Sequence, residues 1–496
     1  MRRPDSPAAL GLILLIYLGL ALATAYTRSP WVDEAWFGSP AWNLSAHGFL
    51  GTTILDPASS TWKNVDLTGI DRHTYWVMPL SLLLNSATFR FFGFGSLQMR
   101  ASAIIFGLFL LLAWRTILVR LHATPVLTLT ALLLIAVDYH FQSQAADGRM
   151  DAMAAGLGYA SLACYLALRE RRLPAAVGTS HLLAAASVFT HPNGILLAVL
   201  LVITTLYLDA KVIRVKLVAL AATPYLVFAA GWGIYVAQDP ASFRAQFLGN
   251  AAGRGPTITT PLLALKMEIV NRYLYNFGLA PWSSLSGRLN VIPLVILLAG
   301  TILCFVSPAI RRHPGWRLLF LWTSVAVVWF TFFEGLKTQF YLIYITPLYC
   351  VLTAVAASWL WNGWPGKRLL VAAALIVLVV LQVTRTVTIA SRDPKRHAYL
   401  PAVRFLRGRY SPADFIMGDG SLMFGLGPDW NLLDDFRLGY NTGKQPRAIV
   451  IDDSWTDRIG MLQQASPAIW QHTQRVLSGY SVIYDQFGYR ILERRP

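Results

Sequence analysis

A chain of 496 residues that is 55% hydrophobic and only 14% charged, with a mean hydropathy of +0.49, has more apolar side chain than one water-soluble core can enclose, which excludes a soluble globular protein. The net charge of +17 would suit nucleic acid, but Lys and Arg fall in short clusters between apolar runs rather than on one basic face, so the expected partner is the lipid bilayer and not nucleic acid. Cys164, Cys304 and Cys350 all lie inside apolar stretches, as small hydrophobes do, and neither a disulfide framework nor a zinc spacing is present.

Taken in chain order, "MRRPDS" precedes an apolar run that reaches about Tyr26 with no small-residue cleavage site followed by a soluble chain, so it reads as a retained first transmembrane helix. The stretch "WVDEAWFGSP" follows, with Asp33 and Glu34 adjacent. The next apolar segment, 75–95, is resolved by parity. The basic clusters "MRR", Arg115 with Arg120, "RERR", Lys211/Arg214/Lys216, "RRHPGWR" and "GKR" all face the cytoplasm only if an even number of crossings separates each from the next. Counting 75–95 as a crossing breaks that rule, so it is read as amphipathic juxtamembrane helix. The spans then fall at 8–26, 101–119, 124–139, 151–168, 176–190, 193–209, 217–236, 290–308, 317–333, 339–358 and 368–388, about eleven transmembrane helices. Residues 1–390 form the membrane domain. From 391 to 496 the chain turns polar, and "PADFIMGD", "RAIVID" and "YSVIYDQFGYRILERR" read as strands of a small extracytoplasmic α/β domain.

Ionisable side chains at the bilayer midplane usually mark ion or substrate pathways. Here the span centres hold almost none, His181 coming nearest, which argues against an ion-coupled transporter. Charge gathers instead at the outer mouth. Asp33 and Glu34 follow the first span. Arg72, His73 and Tyr75 lie in "DRHTYW", Arg100 precedes the second span, Arg149 and Asp151 lie in "ADGRMD", and His191, Lys337 and Tyr341 sit at the same level. Each has a plainer reading. An acid pair at a helix end is often only solvated, Asp151 suits a helix N-cap with Arg149 beside it, His191-Pro192 suits a helix start, and Lys337 suits snorkelling to headgroups. "GDGSLMFGLG" lacks the spacing of a phosphate loop.

Carboxylates opposed by Arg, Lys and His at a membrane surface suit transfer of a sugar from a polyprenyl phosphate. A carboxylate can take the acceptor hydroxyl's proton, and cations stabilise the departing phosphate without a metal.

The acid pair after the first span, "GRMD", "VMPL…FRFFGFGSLQMRAS" and "KTQFYLIYITPLY" together resemble the GT-C superfamily of polyprenyl-phosphate-sugar glycosyltransferases, on the side of protein O-mannosyltransferases and aminoarabinose transferases. The resemblance covers roughly residues 1 to 390 and rests on order and topology. It implies Asp33 as the acceptor base, Asp151 as the second acidic position and Arg100 as the basic residue near the carrier phosphate. "DRHTYWVMPL" stands where the family often has "PPL", so Arg72 and His73 take no role from it. The function implied is a multi-pass enzyme of the cytoplasmic (inner) membrane, an inverting glycosyltransferase acting on a lipid, glycan or protein acceptor at the outer face. It requires no cofactor, although the oligosaccharyltransferase branch implies magnesium or manganese held by Asp33 and Asp151. The rival readings are a lipid or polysaccharide transporter or flippase, and a glycan polymerase or ligase using polyprenyl diphosphate.

Overall fold

The computed structural model describes residues 6–59, 65–252, 254 and 258–495; the basic "MRR" start lies outside them. The chain is mainly helical. Every apolar stretch read as a span contains a helix: Pro7–Thr27, Ser96–Arg120, Pro125–Val137, Asp151–Leu168, Leu173–Thr190, Gly194–Asp209, Val215–Val236, Val291–Val306, Arg317–Phe332, Thr346–Gly363 and Arg368–Ser391. Among the described residues, seven helices are long and apolar enough to cross a bilayer, or eight if Pro125–Val137 and Tyr139–Ala145, bent by 63°, form one broken span. The span expected from residue 339 starts later, because Gln339–Tyr344 is a 3-10 turn and the α-helix begins at Thr346. The chain divides into two compact units.

One unit comprises Met1–Thr24, Ala103–Gly231 and Gly253–Ile389. Small residues let its helices approach closely, as packing in lipid requires. A Cβ at Gly158 would lie 2.0 Å from Leu197, and one at Gly300 would lie 2.7 Å from Thr353. Polar tips are spent internally: the Tyr17 hydroxyl donates to Ile104 O at 2.7 Å, and Trp322 Nε1 donates to Thr204 Oγ1 at 2.9 Å. The bend falls at buried Asp138, which ends one helix and caps the next by accepting from Phe141 N at 2.9 Å. Gln382 donates to its other oxygen at 2.7 Å, so the break is held by side chains rather than left open.

The other unit comprises Ala25–Ser102, Trp232–Ala252 and Ala390–Pro496. Helix Val32–His47 packs on helix Pro79–Phe92. The second has 14 residues, a length of about 21 Å against the roughly 30 Å of a hydrocarbon core, and it exposes Leu83, Phe91 and Phe92. That is the form of a helix lying at an interface. In the C-terminal part, β1 (Ile416–Met417), β2 (Leu432–Leu433), β3 (Ala448–Ile451), β4 (Tyr480–Gln486) and β5 (Tyr489–Arg494) form one sheet of order β2-β1-β3-β5-β4. β2, β1 and β3 are parallel, and β5 pairs antiparallel with β3 and β4. Phe487 and Gly488 join β4 to β5 with φ of 54° and 80°, the two positive values that a two-residue hairpin matching strand twist requires. Met417, Ile449, Ile451, Trp455, Ile459 and Leu492 bury the face of the sheet.

Candidate active site

The acid pair of the opening motif is split by the helix it begins. Val32–His47 has Trp31 as its N-cap residue, with Asp33 and Glu34 in the first turn. Glu34 is fully buried, and Arg100, also fully buried, grips it with both prongs: Nε to Oε1 and Nη2 to Oε2, each 2.6 Å. The remaining guanidinium hydrogens go to the carbonyls of Ala25 (2.6 Å), Arg28 (2.9 Å) and Ser29 (3.1 Å). A guanidinium has five N–H donors, and all of Arg100's are spent inside the protein. Asp33, one residue earlier, is only half-buried, and at the helix N-terminus its charge is favoured by the backbone dipoles.

The "DRHTYW" residues diverge. Arg72 is exposed, with Asp71 at 4.0 Å. His73 stacks on Tyr75, ring centroids 5.5 Å apart, and meets Tyr235 edge-on at 5.7 Å; burial pushes its pKa down, against Asp239 and Asp71. Tyr75 is fully buried and donates to Tyr235 O at 3.0 Å. Gln246 fastens this loop by accepting from Tyr75 N at 2.8 Å and donating to Thr68 O and His73 O at 2.9 and 3.0 Å.

In the unit that holds Asp151, four of the expected residues come together. Asp151 begins helix Asp151–Leu168, accepts from Arg149 Nε at 2.8 Å and faces His191 Nε2 at 3.8 Å. His191 Nδ1 accepts from Asn193 N at 3.0 Å, which places a neutral ring's proton on Nε2, toward the carboxylate. Burial lowers the pKa of His191 to about 4, outweighing Asp151, so it is neutral at pH 7. Tyr341 lies against His191 at 5.3 Å between ring centroids, and the Arg149 guanidinium sits 4.2 Å from the Phe340 ring.

Lys337 belongs to a separate ionic knot. Arg272 binds Glu268 at 2.8 Å and also Glu334, while Lys337 Nζ lies 3.2 Å from Glu268 and donates to Phe330 O and, at 2.8 Å, to Thr331 O. Its three hydrogens thus hold the end of helix Arg317–Phe332, where a cation is favoured. The i,i+4 spacing of Glu268 and Arg272 was a signal available in the sequence.

Arg272 and Lys337 pair with Glu268 and Glu334, and Arg149 pairs with Asp151. Arg254 lies in the same unit, a residue that sequence reasoning missed because "GRG" carries no periodic or motif signal. It acts electrostatically on both His191 and Tyr341, its backbone carbonyl accepts from Gly335 N at 3.3 Å, and its buried Nε–H makes no hydrogen bond among the described residues. A guanidinium beside a neutral histidine and a tyrosine suits an anion with several oxygens. The Asp151 carboxylate is already neutralised by Arg149, and the described residues contain no group of three or more His, Cys, Asp or Glu side chains set to hold an ion.

No protein-family model matches the sequence, and no curated protein matches it. Solved structures do. ArnT from Cupriavidus metallidurans bound to undecaprenyl phosphate is similar over 98% of both chains, with TM-score 0.64 and 13% identity. The chain has the fold of ArnT. The apo form of that protein aligns over the same share with TM-score 0.58 and 14% identity. The archaeal oligosaccharyltransferase AglB from Archaeoglobus fulgidus, in complex with an inhibitory peptide and a dolichol-phosphate, aligns over 99% of this chain and 75% of its own, with TM-score 0.51 and 12% identity. Another structure of that oligosaccharyltransferase is a complex with Zn and sulfate. The fold expected from the sequence, a multi-pass helical membrane protein with a small C-terminal sheet, is thus borne out.

Proposed function

We propose that this protein is a membrane glycosyltransferase that moves a sugar from a polyprenyl phosphate to a hydroxyl acceptor on the outer face of the cytoplasmic membrane. The carrying observation is the fold shared over nearly the whole chain with a protein that binds undecaprenyl phosphate. The Arg254 guanidinium acting on His191 and Tyr341 supports the same reading. In this mechanism the Asp33 carboxylate takes the acceptor's proton as its oxygen attacks the anomeric carbon, inverting it. The bond from that carbon to the phosphate oxygen breaks, and polyprenyl phosphate leaves with charge that a guanidinium stabilises. Within its own unit, Arg254 is assigned to anion binding, with Arg149, Asp151, His191 and Tyr341 shaping its surroundings. Glu34, Arg100 and Lys337 act as structural anchors, because their polar atoms are already engaged.

Purified protein given a radiolabelled polyprenyl-phosphate sugar and membrane extract is expected to move label to an acceptor; no transfer and no released sugar would refute the reading. A flippase would instead carry the lipid across proteoliposomes with the bond intact, and a polymerase would give a ladder of products. Arg254→Gln is expected to raise the donor KM by about tenfold to a hundredfold, the worth of a lost hydrogen bond to a charged group. An unchanged KM would remove Arg254 from the donor site. Activity that EDTA abolishes and magnesium or manganese restores would add a metal.

We place the C-terminal part and the loop after the first helix outside the cytoplasm. Single cysteines at Ser45 and Ser454 are expected to react with an impermeant maleimide in intact spheroplasts, and those at Ala175 and His313 only after lysis. The reverse pattern would invert the orientation.

A further inference from the structure

The first turn of helix Val32–His47 is fastened at two points. One is Glu34, held by Arg100. The other is Trp36, whose Nε1 donates to Asp434 Oδ2 at 2.9 Å across 398 positions of sequence. Asp434 directly follows β2, Asp452 directly follows β3, and Asp419 lies two residues beyond β1, so three carboxylates gather at the carboxyl ends of three adjacent parallel strands. Arg458 is the cation beside them: it lies 4.0 Å from Asp419 and 6.0 Å from the Trp36 ring. Burial and the neighbouring Asp419 hold the Asp434 carboxyl above its usual range. The indole N–H and the amide of Gly420, at 3.2 Å, are its hydrogen-bond donors. Contact continues around this point. Asp434 N donates to Ile54 O at 2.9 Å, Lys444 binds Asp56 at 2.5 Å, and a Cβ at Gly420 would come within 3.4 Å of Ala35.

Successive residues of an α-helix are about 100° apart around its axis, so Asp33 lies between Glu34 on one side and Trp36, one turn on, on the other. A helix start pinned on both flanks cannot roll about its axis. We propose that the hydrogen bond from Trp36 to Asp434 is a positioning contact through which the C-terminal sheet sets the orientation of Asp33. The inference rests on the reading of Asp33 as the base. It gives the C-terminal part a task in the reaction that needs no catalytic group of its own, with Trp36 and Asp434 acting through the orientation of Asp33.

The test uses the full-length protein and the transfer assay, with Asp33→Asn measured alongside. Trp36→Phe keeps the ring and drops the N–H; Asp434→Leu keeps the bulk and drops the acceptor. Each is expected to lower kcat by about tenfold to a hundredfold, the cost of a small misplacement of a reacting group, while the donor KM stays within about twofold. The double variant should be no worse than either single one, since both remove the same bond. Asp434→Asn, which retains an accepting oxygen, should restore most of the rate. Unfolding temperatures in detergent, measured on all variants, separate misplacement from misfolding: the inference needs the kcat loss in protein that unfolds close to wild type. If Asp33→Asn is inactive while Trp36→Phe and Asp434→Leu turn over normally, or if their losses add in the double variant, the positioning role is overturned and the base assignment stands. If Asp33→Asn is fully active, both fall.

Discussion

Replacing Asp33 with Asn is expected to lower turnover by about a hundredfold to ten-thousandfold, the usual cost of removing a general base, with donor binding unchanged. The amide preserves shape and loses only basicity. The position is half-buried at the start of a helix, where loss of a favourable charge–dipole interaction costs about 0.3–1 kcal/mol, too little to unfold the protein. The measurement pairs the transfer rate at saturating donor with the amount of labelled polyprenyl phosphate bound at equilibrium. Wild-type turnover in this variant would dismiss Asp33, and loss of binding together with rate would move it to the donor site.

Arg100→Met is expected to cost about 3–5 kcal/mol of stability, because it leaves the Glu34 carboxylate buried without its cation. Three carbonyls, of Ala25, Arg28 and Ser29, lose their donor as well. The unfolding temperature in detergent should fall sharply, and adding Glu34→Gln should recover part of the loss, since the double variant buries no lone charge. An Arg100→Met protein that unfolds like wild type but no longer binds the donor would instead return Arg100 to the carrier phosphate.

How much of this was legible follows from the range over which each signal acts. Apolar runs are local, so a helix could be read in each stretch taken as a span, and the poor fit of 75–95 to the charge parity agrees with the short helix Pro79–Phe92. Side-chain partnerships are not local. Asp33 and Glu34 are neighbours in sequence, and only the fold shows that Arg100, 66 residues from Glu34, takes the Glu34 carboxylate into the interior while Asp33 stays half-buried. Strand β2 is two leucines long, too short for any alternation to appear, although it lies at the sheet edge beside β1. Arg254 could not be found at all, because its place beside His191 and Tyr341 is set by the fold and leaves no spacing in the sequence.

The grip on Arg100 also bears on how the chain is made. Ala25, Arg28, Ser29 and Glu34 receive hydrogens from this guanidinium, and all four precede it. Synthesis runs from the N-terminus, so when residue 100 leaves the ribosome these acceptors have already been made. The arginine can therefore be engaged as soon as it emerges at the edge of a nascent membrane helix. The first two long apolar helices can be joined at their shared end before the third has been translated.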